Sequence, residues 1–93
     1  MAKLTWVTQD GLVAEGPLRL RSVTLVATTA GAADVTLYHG RGTDGRVLAV
    51  MRTGASTSRN LPLSGGVELP QGLYVDVGSN VEGVAVVWEP LGP

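Results

Sequence analysis

Apolar residues recur at every second position in this chain, in runs too short for a helix and bounded by turn residues. Leu73, Val75 and Val77 alternate with Tyr74 and Asp76, and Val84, Val86 and Trp88 share one parity further on. A period of two sends alternate side chains to opposite faces of a strand, so each run has one face to bury and one to leave out. A chain built of such runs must fold by laying sheet on sheet.

Reading along the chain gives eight strand candidates: 3–8, 17–29, 35–39, 47–52, 58–63, 67–69, 73–77 and 83–89. The longest, PLRLRSVTLVATT, changes phase, with Leu18 and Leu20 on one parity and Val23 and Leu25 on the other. A bulge or a crossing between sheets near Arg21-Ser22 accounts for that slip. VLAVMR is apolar almost throughout and reads as a central strand with both faces covered. Ser64-Gly65-Gly66 reads as a turn, and so does the stretch from Asp10-Gly11 to Gly16-Pro17. Short strands with turn signals every ~8–12 residues predict an all-β, antiparallel β-sandwich of about eight strands, jelly-roll-like, with negligible helix. The expected core includes Leu25, Val35, Leu37, Val47, Ala49, Val75, Val77, Val84, Val86 and Trp88. Residues 17–93 are expected to form the sandwich, with 1–16 an N-terminal arm or an edge strand.

One motif invites a different function. Gly40, Gly42 and Gly45 spell G-x-G-x-x-G after a strand. A dinucleotide site needs a helix after those glycines, because the helix N-terminus holds the phosphate. Here VLAVMR follows and Thr53-Gly54 ends it, while Asp44-Gly45 is a hairpin signal. The loop is read as a turn.

Chemistry is sparse elsewhere. His39 is the single histidine and there is no cysteine, so no metal set or thiolate can be assembled from sequence spacing. Ser56, Thr57 and Ser58 have no base nearby, and the acids are scattered singly. No catalytic residue, cofactor or metal is expected, and an enzyme is disfavoured. A net charge of −1 argues against a general nucleic-acid binder. No apolar run approaches the ~20 residues of a membrane helix, and the N-terminus lacks the features of a signal peptide. Cytoplasm-like conditions are the expected setting.

At 93 residues, with no Phe and no Cys, the chain is near the lower end of independent domains. It buries only roughly 60–65% of its unfolded surface. Self-association is the obvious compensation, and a homo-oligomer, a trimer in preference to a dimer, is expected. Charge order suggests how. Arg41, Arg46, Arg52 and Arg59 cluster against the single acid Asp44, whereas from Asn60 onward Glu68, Asp76, Glu82 and Glu89 meet no Lys or Arg. Solvated charge laid down by chance is the plain reading. Complementary patches are the functional one, with Arg52 or Arg59 facing Asp76 or Glu82 of a neighbour in a head-to-tail ring. Trp6 reads equally as core or as a contact anchor, and Trp88 reads as core.

The run VTLYHG, a Gly-rich hairpin, an apolar strand and then GVELPQGLYVDVGSNVEGVAVVWEP resembles small structural proteins of tailed bacteriophages. Those β-sandwich proteins commonly carry an LYDG … GLYV … VTVxY/W layout, and several are cement or decoration proteins sitting as oligomers on the capsid exterior. The resemblance spans about Gly16 to Pro90 and departs at His39, where Asp is more usual, and in the N-terminal segment. It implies a virion protein of the capsid surface, made in the host cytoplasm, that binds the major capsid protein and carries no catalytic residues. The arm, through Leu4, Trp6, Leu12 and Val13, is expected to reach that partner. A receptor- or carbohydrate-binding module of a tail appendage is the alternative, set back by having only Tyr38 and Tyr74 to offer a sugar.

Overall fold

In a computed structural model, residues 2–91 are described; Met1, Gly92 and Pro93, from the two ends of the expected division, lie outside them. The eight strands are β1 (Lys3–Val7), β2 (Gly11–Ala14), β3 (Leu18–Ala27), β4 (Ala33–His39), β5 (Arg46–Thr53), β6 (Ser58–Leu69), β7 (Leu73–Val77) and β8 (Val81–Pro90). They form two four-stranded antiparallel sheets, β1-β8-β3-β6 and β2-β7-β4-β5. Across the core β3 faces β4 and β5, β8 meets β4, and β6 lies against β5. The chain crosses between sheets at every connection except the β4–β5 hairpin. That is the strand order of a jelly roll, and no described residue is helical.

The core is the space between the sheets. Leu18, Leu20, Val23 and Leu25 enter it from β3, Val35 and Leu37 from β4, Val75 from β7, and Val84 and Val86 from β8, all fully buried. No polar or charged residue is buried among the described residues. The phase slip in β3 is a register shift between Leu20 and Ser22 against both neighbours, β6 and β8. It lets Leu20 and Val23 both face inward although their spacing is odd.

Of the two readings of the N-terminal segment, residues 3–14 lie in edge strands, β1 paired with β8 and β2 with β7. Three expectations need correction. Ser64-Gly65-Gly66 is no turn. β6 runs through it, pairing Val67 with Leu20 and Pro62 with Ser22, so four residues bulge out opposite Arg21 alone. The positive φ of Gly65 (78°) and Gly66 (80°) accommodates that excursion. β5 is an edge strand, not a central one, and like every strand of a two-sheet sandwich it has one face toward solvent, where Val47 is 53% exposed. Ala49, Val77 and Trp88 sit at the margin of the core, partly buried against it.

Gly72, between β6 and β7, has φ +104°, and a Cβ there would lie 2.5 Å from the Ala14 carbonyl oxygen of β2. Gly72→Ala is therefore expected to cost about 1–3 kcal/mol, from backbone strain together with loss of the β2–β7 approach. A shift of the urea midpoint at unchanged slope would register it.

Candidate interaction surfaces

Because β1 closes the first sheet, its outward residues have no further strand beside them. Leu4 and Trp6 share the outward parity, opposite Val87 and Ala85 of β8. They are 69% and 52% exposed. The Trp6 ring lies directly over Gly83, where any Cβ would strike Cζ2 and Cε2 of the indole. Gly83 is thus a notch that lets a large aromatic lie flat on the sheet. Trp88 has the opposite orientation. Paired with Lys3 and Leu20, it turns toward the inside, donates its indole N–H to Thr5 Oγ1 at 2.9 Å, and carries Lys3 Nζ 5.6 Å from the ring centroid.

The second sheet has its own outward face. Register places Leu12 beside Tyr74, Tyr74 beside Tyr38 and Tyr38 beside Val47, a row across all four strands. The two tyrosine rings meet edge to face, centroids 6.4 Å apart. One step along the strands come Asp76, Thr36 and Val50, and beyond them Asp34 and Arg52. Leu12, Val47 and Val50 are exposed.

The four apolar residues expected to act together from the N-terminal segment are therefore divided. Leu4 and Trp6 lie on one sheet's outer face and Leu12 on the other's. Val13 falls at the β2 bulge and packs against the core, so it offers a partner little. Arg52 and Arg59 do come together, Arg59 Nη1 donating to the Arg52 carbonyl at 3.5 Å, where edge strands β5 and β6 stand over one another. Asp76 shares the outward face of Arg52, while Glu82 is exposed beside Gly83, near Trp6.

Two acids of the C-terminal set are already engaged. Arg19 bonds Glu68 at 2.9 Å and Glu89 at 3.3 Å, and Arg21 reaches Glu89 at 2.9 Å. The hydrogen bond with Glu68, with Glu89 adding to it, holds the Arg19 guanidinium above its ordinary pKa. These are surface pairs, and their role is to fix the bulged region of β3 against β6 and β8.

The glycine loop connects β4 to β5, with Gly45 N–H donating to Gly42 O at 3.1 Å, and a strand follows it. Beside it His39, Arg41, Asp44, Arg46, Pro70 and Gln71 line an open cleft of about 720 Å³. His39 Nε2 accepts the Gln71 N–H at 3.3 Å, which ties the β4 end to the β6–β7 connection. No group of three potential metal ligands occurs among the described residues, and none of them forms a helix long and apolar enough to cross a membrane. The outward row on the second sheet escapes a reading of the sequence that assigns Val47 to the core. The parity of Tyr74 and Asp76 in LYVDV is the signal that points to it.

Searches against protein families, curated proteins and solved structures find no match to this chain.

Proposed function

We propose that the protein is a bacteriophage structural protein of the capsid cement type, which binds the outer capsid surface through its first sheet and stabilises the shell. The observation that carries this reading is the Leu4–Trp6 pair, an apolar anchor held open on an edge strand by the Gly83 notch. Exposed aromatics seated on a rigid support are what a protein contact uses, since little side-chain freedom is lost on docking. The exposed acid Glu82, next to the Gly83 notch in sequence, supplies a polar rim. The partner is the major capsid protein, and the activity is binding with no chemical step.

Such a protein works by mass action. It binds the intact lattice and not the separated subunits, so its binding energy becomes shell stability. When several copies act together, each docked copy raises the effective concentration of the next contact, and individually weak anchors hold.

A tail-appendage module for receptor or carbohydrate is the second reading. It draws on the Tyr38–Tyr74 pair, which shares a face with Thr36 and Asp76. Purified protein mixed with capsids that lack it should co-sediment with them and leave host cells and glycans unbound. Binding to cells or glycans without binding to capsids would transfer the function to the tail.

A further inference from the structure

The outward face of the second sheet is apolar at one level of the strands, mixed at the next, where Asp76, Thr36 and Val50 lie, and charged at the third, where Asp34 and Arg52 stand opposite each other, with Arg52 on the edge strand. The acids Asp76, on β7, and Asp10, just before β2, occupy one side. Asp10 is anchored there, its Oδ1 accepting the Val77 N–H at 2.7 Å. Arg52, on edge strand β5, occupies the other. Its cross-strand neighbour Asp34 receives the Ser79 N–H at 3.3 Å, and the ion pairs of the described residues all involve Arg19 or Arg21. Arg52 thus makes no ion pair among the described residues, although Asp34 stands beside it, and the other acids of the face lie at its far side.

We infer that this face pairs with the same face of a second copy, about a two-fold axis running along the strands. That operation preserves level and reverses side. Val47 of each copy then meets Leu12 of the other, and the two tyrosine pairs pack across the axis. Arg52 falls over the strands that carry Asp76 and Asp10, one step beyond Asp76 along the strands, a distance that its long side chain spans. A two-fold axis across the strands fails by comparison, since it sets the apolar row against the charged level. A single self-complementary surface carries both members of the ion pair, which is the requirement for an isologous contact; a head-to-tail ring needs two different surfaces. Strands about 4.8 Å apart and some six residues long make the face roughly 400 Å² in projection. The pair then buries on the order of 1,000 Å² of accessible surface, the lower end for a specific interface, so micromolar dissociation is expected. The pairing does not depend on the capsid reading, because it uses the opposite sheet.

Sedimentation equilibrium of the full chain tests it. A species of twice the 9.6 kDa protomer mass is expected at tens of micromolar. Val47→Glu, on a side chain already exposed, should raise the dissociation constant by roughly 30–100-fold. Arg52→Glu and Asp76→Arg should each weaken the dimer by about ten-fold, and the two together should recover most of the loss. Trp6→Ala, on the other sheet, should leave the dimer intact. Each variant should keep the β-sheet circular dichroism of the parent. A monomer at 100 µM (~10-fold or more above a dissociation constant of about 1–10 µM), a trimer, or a dimer indifferent to Val47→Glu would overturn the pairing. Loss of capsid binding with no change of mass on Val47→Glu would assign the face to the capsid instead and overturn it equally.

Discussion

Leu37→Ala is expected to destabilise the protein by about 2–5 kcal/mol, out of a total that for a domain of this size is about 5–15 kcal/mol. Leu37 is fully buried on β4, a central strand of the second sheet, and points into the space between the sheets. Its removal leaves a cavity walled by strands that hydrogen bonding holds in place, so little collapse can offset the loss. Val47→Ala on neighbouring β5 is the matched control and should change stability by no more than ~0.5 kcal/mol, because Val47 faces outward. Urea titrations of both variants give the comparison. Similar costs at the two sites would mean that Val47 does not face outward as described.

Trp6→Ala is expected to weaken capsid binding by roughly 30-fold or more while leaving the fold intact, the pattern of a contact anchor. The indole is half exposed, so truncation removes little buried area from the sandwich itself. Gly83→Ala probes the same contact from beneath. Its new methyl first meets the six-membered ring of a side chain that is able to swing away, so the ring must lift off the sheet. Binding should fall with Gly83→Ala even though Trp6 is still present. Co-sedimentation of the two variants with capsids would show whether the orientation of the ring matters or only its presence.

The sandwich is legible in the sequence because its core strands alternate strictly. Leu18, Leu20, Val23 and Leu25 even announce the bulge between the two halves of β3, since a strand buried on one face can change parity only by gaining or losing a residue against its neighbours. The count of eight strands conceals two local errors that offset each other. β2 is hidden in the turn-rich stretch after Asp10, and the glycines of β6 make one strand read as two. Gly65 and Gly66 make a bulge and a turn look alike in sequence, because both need positive φ; only the pairing of Pro62 and Val67 with the same strand separates them. β5 is misread for a different reason. VLAVMR carries exposed apolar residues, Val47 and Val50, on its outer face as well as Met51 on its inner one, so its composition is that of a strand covered on both faces. For the surfaces, Leu4 and Trp6 are identifiable as candidates, but their separation from Leu12 and Val13 is not. Which sheet a strand joins is decided by pairings some seventy residues away, such as Trp6 with Ala85 and Leu12 with Tyr74.

If this small sandwich is a cement, its binding must make a capsid harder to break. Differential scanning calorimetry of capsids lacking the protein, with and without saturating added protein, reads that effect as a shift of the rupture transition. The transition should move to higher temperature with the parent protein and stay at the bare-capsid value with Trp6→Ala. A rupture temperature unchanged by the parent protein at saturation would mean that it is not a cement.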